Sequence, residues 1–488
     1  MLTRNKSLTF CLLLTALFQF PAPSKASALQ GGQPTAESHF NKGVEHQGAG
    51  RFVEAVENYR RAVQLKPDFA EAQFNLGMSH QMLKQFPEAL SAYRRYAALK
   101  PDAPEGYLQL GCVNAALGNQ DDALAALREA ARLRPEWREA QMVLGLYLRG
   151  LRRFDEAAEV IARAARLKDS DPALHLMAGF SFMAAKQYDA AAEIFRQYIV
   201  LKPNDADGYV NLGQAEMESG HLKEAIEAFT QAVSVRPDLA AAHLRMAAAY
   251  NKLGQHSKEA EALTRILQLR PDDADAYHHL GLALDKQGKQ AEAVENFKRA
   301  IRLSPDNIAS HNGLAYAYGR QGKHREAIEA FKEVVRLAPD DANAYHSMGF
   351  SNYRLGRFLE AIEMYDTAIR LNSENAGFFL NRGTAYYHLG RYPEAEENYK
   401  KSLNFNSDNP VTHYSLGHVY LKLRRYADAV EAYRKALELN PNSADAHANL
   451  GQAYLGIGNR EAAVEQYNIV KTLDPTLAKE LLKKIESY

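Results

Sequence analysis

Pro67, Pro101, Pro135, Pro203, Pro237, Pro271, Pro305, Pro339, Pro441 and Pro475 are separated by 34 residues or a multiple of 34. A fixed period of this length means that one supersecondary unit is stacked on copies of itself. Such a unit cannot bury its apolar side alone, so the period decides the architecture.

Residues 274–307, ADAYHHLGLALDKQGKQAEAVENFKRAIRLSPDN, carry two amphipathic patterns. The first places Tyr277, Leu280 and Leu284 on one face and predicts a helix from about Ala274 to Gln287. The second, from about Ala291 to Leu303, does the same with Val294, Phe297, Ala300 and Ile301. Gly288 can take the left-handed conformation that closes a helix. Pro305 stops the second helix, and Asp306 and Asn307 are turn and N-cap types for the next unit. Gly281 and Ala293 are small where the two helices meet, and Phe297 fills the space between neighbours.

This pattern resembles the tetratricopeptide repeat family, a 34-residue helix–turn–helix unit with small residues at positions 8, 20 and 27, aromatics at 4, 11 and 24, and Pro at 32. With Ala36 as position 1, thirteen units run to Leu477. Position 8 is Gly in all but Ala247 and Ala315, position 20 is Ala in all but Glu259, and position 24 is Tyr, Phe, Leu or Ile. The resemblance implies an all-α, right-handed superhelical solenoid of about thirteen repeats. The unit 240–273 departs most, because Glu259 stands where two helices touch and Ala260 follows one place late. Burying that carboxylate is costly, so a remodelled turn is expected there. Pro is missing from position 32 at Asp169, Ser373 and Ser407, and in two of these junctions it opens the next helix instead (Pro172, Pro410).

Residues 1–28 are of another kind. Arg4 and Lys6 precede the apolar run Leu8–Phe20, and Ala26-Ser27-Ala28 has small residues where a signal peptidase reads. The expectation is a secretory signal peptide cleaved after Ala28 and a periplasmic or secreted protein. The run is shorter than the ~20 residues of a spanning helix, and no later segment could span a membrane. The full chain has 59 basic and 59 acidic residues. Losing Arg4, Lys6 and Lys25 with no acid leaves a net charge of −3. Near-neutrality argues against general nucleic-acid binding. Cys112 alone remains after cleavage, so no intrachain disulfide can form, and it reads as a small apolar residue. Residues 29–35 form a short linker. Residues 478–488, with Leu481, Leu482 and Ile485 on one face, are expected to form a capping helix.

The repeats leave no room for a catalytic module, and HExxH, CxxC, GxSxG and Gly-rich phosphate loops are all absent. The chain is therefore read as a non-enzyme with no cofactor and no metal. Of its sixteen histidines, His39, His175, His243, His311, His413 and His447 occupy position 4, where the family packs an aromatic. His388 and His418 could approach one another, but two ligands do not make a zinc site. The position-6 amides Asn41, Asn75, Asn211, Asn381 and Asn449 form only part of the Asn ladder seen in one glycosyltransferase superhelix of the family, so sugar transfer is not carried over.

Positions 2, 5, 9, 12 and 13 line the concave groove of the family. In repeats one to six they give an apolar, Met-rich set: Phe40, Val44, Phe74, Met78, Met82, Leu108, Cys112, Met142, Leu146, Leu176, Phe180, Met183, Val210 and Met217. Acids run along position 2 (Glu37, Glu71, Glu105, Glu139, Asp207). In repeats seven to twelve, position 13 is a cation throughout: Lys252, Lys286, Arg320, Arg354, His388 and Lys422. Tyr316, Tyr353, Tyr387, Tyr414, His278, Asn312, His346 and His418 lie among them. A cation near a helix C-terminus also complements the helix dipole by ~0.3–1 kcal/mol, which is the structural reason for such a row. The functional expectation is a scaffold that holds segments of other proteins or peptides along the groove. The alternative is an accessory factor for polysaccharide export that binds an acidic glycan in the cationic half.

Overall fold

The computed structural model describes residues 29–30, 33–167 and 171–488. The signal-peptide segment 1–28 and Asp169 lie outside the described residues. Leu29–Gln30 pairs antiparallel with Gln33–Pro34, a two-residue bridge in the segment read as a linker. From Ala36 onward there are 27 helices among the described residues, arranged as thirteen hairpins and a final helix. First helices begin at position 1 and second helices at position 17 in every repeat, so Ala274–Lys286 and Gln290–Leu303 stand where the periodicity puts them.

Three local devices repeat. The first is capping across the repeat boundary: Oδ1 of Asp273, Asn307, Asp341, Asn375 and Asn409, at position 34, accepts from backbone N–H groups of the next helix. The second is the left-handed residue at position 15. It is Gly at nine described turns, including Gly288 with φ +77°, and Lys84, Arg152, Lys186 and Arg424 at the other four. The third is close approach at position 8, where a Cβ on Gly281 would lie 2.7 Å from the Phe297 ring. Phe297 is fully buried there, which stabilises this repeat by about 1.5–3 kcal/mol.

Position 4 also has a polar task. Nε2–H of His243, His311, His413 and His447 donates to the carbonyl of Pro237, Pro305, Ser407 and Pro441, six residues upstream at position 32. Gln141 does the same to Pro135 at 3.1 Å. These side chains tie each repeat to the turn before it.

The chain divides into two compact units, Met1–Leu253 and Gly254–Tyr488. In the first unit the core forms separate clusters, around Phe40, around Phe74, and from Leu108 through Leu212 with Cys112 buried in it. In the second, rings at position 24 (Phe297, Phe331, Tyr365, Tyr399, Tyr433) form the spine.

Two boundary expectations are corrected. The helices of 240–273, Ala240–Lys252 and His256–Leu269, have the ordinary lengths, and Gly254 takes φ +68° like its counterparts. Glu259 is buried without a remodelled turn, because its carboxylate pairs with His256 Nδ1 at 2.9 Å. The last helix is Pro475–Ser487, starting three residues before the expected 478. Asp474 ends one helix and caps the next through Thr476 and Leu477, so the usual turn is absent. Leu481 and Ile485 are buried, as a cap requires.

Candidate functional site

In the second unit the first helices of repeats eight and nine, and those of repeats ten and eleven, meet through their last turns, where position 12 of one repeat faces position 13 of the next. Asp285 Oδ1 accepts from Arg320 Nε at 2.8 Å, with Oδ2 on Nη2. Tyr353 and His388, at the same register two repeats on, share a hydrogen bond of 3.0 Å. Position 5 meets position 6 of the next repeat in the same way. Asn381 Nδ2 donates to His346 Nε2 at 2.7 Å, and Asn449 Nδ2 to Tyr414 Oη at 3.2 Å. The second unit therefore has a first-helix face tied together by side chains.

Between repeats nine and ten this face opens into a cleft of about 490 Å3. Its cationic wall is Arg320 and Arg354, and its apolar wall is Tyr316, Phe331 and Phe350. His346, Ser347, Ser351 and His324 supply polar atoms. Tyr316 stands with its ring edge on Phe331 at 5.2 Å and its hydroxyl 3.2 Å from Ser347 Oγ. Arg354 makes no ion pair among the described residues and lies over the Phe350 ring at 5.9 Å. His346 packs between Phe378 at 4.8 Å and Tyr365 at 5.5 Å, and this burial lowers its pKa to about 4. An adjoining recess of about 450 Å3 shares Tyr316 and Arg320 and adds His278, Asn312 and Asp341. The size falls within the ~300–1,000 Å3 of ligand pockets.

The structure thus gathers Asn312, Tyr316, Arg320, His346 and Arg354 of the sequence-predicted set. Phe350 and His324 were missed. Phe350 shares position 9 with Tyr316, a signal that was present. His324 opens a second helix, outside the positions searched.

Other candidates sit elsewhere. Lys252 is exposed in the first unit, and Lys286 and Lys422 are exposed in the second away from the cleft. Phe358 stacks on His388 at 5.3 Å, so that ring is occupied. Tyr387, Tyr414 and His418 form a separate aromatic group, with Tyr414 and His418 at 4.6 Å and His418 and Tyr387 at 6.3 Å. Within the row of position-13 cations, Asp285 neutralises Arg320 and Tyr353 engages His388.

The apolar groove is also corrected. Phe40, Phe74, Met78, Leu108 and Cys112 are buried in the core. Phe40 packs at 4.9 Å on Phe69, the residue that precedes the next first helix, and Phe74 packs at 4.9 Å on Tyr96 of the second helix of its own repeat, so a large side chain at position 5 turns into the core. Even position 12 turns inward in the first two repeats, where Gln47 and Gln81 accept from Tyr59 and Tyr93. Met82 and Phe180 are exposed, while Met142, Leu146, Met183 and Met217 are half-buried. The position-2 acids are partly consumed by cations at position 31: Lys66 pairs with Glu37 at 3.3 Å, Arg134 with Glu105 at 2.7 Å and Arg236 with Asp207 at 3.1 Å. Among the described residues no group of three or more His, Cys, Asp or Glu is placed to hold a metal ion, and no helix is long and apolar enough to cross a membrane.

Family models of the tetratricopeptide repeat match residues 216–284, 286–322, 320–356, 353–390, 383–423, 410–443 and 432–465. The chain is a tetratricopeptide repeat protein. A model of the cilia and flagella-associated protein 70 C-terminal domain also matches residues 6–243 of this repeat protein. Among solved structures it is similar to Naa15/Naa10 bound to HypK-THB, with 13% identity over 91% of this chain and 76% of that chain and a TM-score of 0.47. It is similar too to the APC/C hetero-tetramer Cut9-Hcn1 (15%, 98% and 99% covered, TM-score 0.39). A third likeness is to pilF of Pseudomonas aeruginosa (21%, 43% and 97% covered, TM-score 0.39). No curated protein matches the chain.

Proposed function

We propose that this repeat protein is a non-catalytic scaffold that binds segments of other proteins along its first-helix face, with the cleft between repeats nine and ten as its principal anchor site. The observation that carries this reading is the cleft itself: a recess of about 490 Å3 with an unpaired Arg354 beside Tyr316 and Phe350. Arg and aromatic side chains in a recess are what protein-binding hot spots are made of. Tetratricopeptide repeat proteins typically bind other proteins or peptides, which supports the same reading.

The location proposed is the periplasm or the cell exterior, on the basic start, apolar run and Ala26-Ser27-Ala28 pattern. Edman sequencing of the native protein beginning at Leu29 would support it, and a chain retaining the leader would contradict it.

The test of the scaffold is affinity capture with the full chain, wild type against a double variant Phe350→Ala with Arg354→Gln. Both side chains are exposed, so the variant should keep its helix content and lose the partner. Equal capture by both would overturn the proposal.

A further inference from the structure

His346, Phe350 and Arg354 follow one another at helical spacing, so they form a single stripe along the first helix of repeat ten. Phe350 and Arg354 belong to the cleft with repeat nine. His346 lines that cleft too, but it also reaches the other way. Its ring lies between Tyr365 of its own repeat and Phe378 of the next, and its Nε2 accepts from Asn381 Nδ2 at 2.7 Å. It is therefore a clasp between the first helices of repeats ten and eleven, Ala342–Arg354 and Ala376–His388.

That clasp needs a neutral ring. An Nε2 that accepts leaves the one proton on Nδ1. A second proton would set an N–H against the Asn381 amide. Turning the amide round would supply an acceptor, but not the water that a cation loses between two aromatic rings. Among the described residues no carboxylate forms an ion pair with this ring. Repeat nine brings Arg320, already matched by Asp285, together with His324 and Tyr316, and Arg354 adds a second cation. On the other side Asp366 is taken by Arg382, while Asp341 caps its own helix at the N–H groups of Asn343 and Ala344. Burial accordingly holds the His346 pKa at about 4. Parting the two helices returns the ring to water and to its ordinary 6.5. Acid therefore favours the parted state, on the order of tenfold at pH 5.

We propose that His346 is an acid-operated release for the cleft: at neutral pH it clasps the first helices of repeats ten and eleven and holds the stripe with Phe350 and Arg354 in place, and proton uptake on its ring parts those helices and lets go of the partner segment. This rests on the scaffold reading and adds the condition under which the scaffold lets its partner go.

The clasp is tested on the full chain without any partner, by amide hydrogen exchange at pH 7.5 and pH 5.0 with labelling times scaled for the intrinsic rate. Protection of Ala342–Arg354 and Ala376–His388 should fall about tenfold at pH 5.0, whereas Pro104–Leu117 in the first unit should hold. His346→Gln should remove this pH dependence. Asn381→Asp sets a carboxylate against the ring, which stabilises its protonated form, and should cancel or reverse it. Wild-type protection that ignores pH, or a fall that persists in both variants, overturns the clasp. The release is tested by repeating the affinity capture at pH 5.0. Wild type should lose there the partner it holds at pH 7.5, and Asn381→Asp should keep it. Helices that open while the partner stays bound overturn the release. If nothing is captured at pH 7.5 the scaffold reading fails and the release with it, while the exchange data still decide the clasp.

Discussion

Arg320 grips Asp285 across the boundary between repeats eight and nine, whereas Arg354, one repeat further on, faces Gly319 at the place of that aspartate. The same register that neutralises one arginine leaves the next uncompensated. A cleft forms beside the free one. What stands at position 12 therefore decides whether the position-13 cation of the next repeat is neutralised here.

The register predicts the effect of restoring the missing acid. A Cβ on Gly319 would meet nothing within 4 Å, so Gly319→Asp fits. It should capture Arg354 and lower partner capture by the full chain about tenfold. Conversely, Asp285→Asn should free Arg320 and raise that capture about threefold. Arg354 is exposed, so Gly319→Asp should move stability by no more than about 1 kcal/mol, whereas the Asp285 side chain is only 9% exposed and Asp285→Asn should cost about 1–3 kcal/mol. Unchanged affinity in Gly319→Asp would break the link between register and binding.

Lys84, Arg152, Lys186 and Arg424 hold a left-handed backbone, with φ between 58° and 61°, that the other repeats assign to Gly. That conformation costs an L-residue roughly 1–2 kcal/mol, part of which glycine returns as lost chain entropy. Each change to Gly should therefore stabilise by about 0.5–1 kcal/mol, and the four together should raise the melting temperature. Gly288→Ala should do the opposite by about 1 kcal/mol. Urea denaturation of the variants checks both signs.

His346 gives the second unit a pH-dependent stability. Burial holds its pKa at about 4 in the folded chain against the ordinary 6.5 of a histidine. Its contribution is complete above pH 6.5 and is lost as the pH falls from 6.5 toward 4, because the unfolded chain binds the proton first. The loss should be on the order of 2 kcal/mol after allowing for solvent access. His278, His324 and His418 are lowered in the same direction, chiefly by burial. His346→Gln keeps an acceptor for Asn381 and should flatten the pH profile over that window. An unaltered profile would contradict the assignment.

The final helix covers the last repeat through Leu481 and Ile485, while Lys484 Nζ donates to Gln452 Oε1 at 2.7 Å. Deleting 475–488 should expose that apolar face, lower stability and promote association, read by light scattering. A truncated chain that stays monomeric and equally stable would remove its capping role.

The period and the helix starts were legible because each repeats thirteen times, so local noise averages out across Ala36 to Leu473. What could not be read was the direction of individual side chains. Phe40 and Tyr316 both lie on first helices at groove positions, yet Phe40 is buried against Phe69 and Tyr316 is 42% exposed. Phe40 stands at position 5 and turns onto Phe69 at the end of its own repeat, whereas Tyr316 stands at position 9 and leans only its edge on Phe331. Glu259 misled for a similar reason, since the pattern saw its cost and not the His256 that offsets it. The arginine row was visible, but its neutralisation was not, because Asp285 and Arg320 are 35 residues apart in sequence.

The most direct measurement of the central claim is site-specific photo-crosslinking in the full chain. One photoreactive residue replaces Phe350 in the cleft, and a second replaces Leu359, 59% exposed on a second helix. The account predicts a partner protein attached at position 350 and not at 359, and its loss when Arg354→Gln is added. Attachment at 359 alone, or at 350 regardless of Arg354, would contradict it.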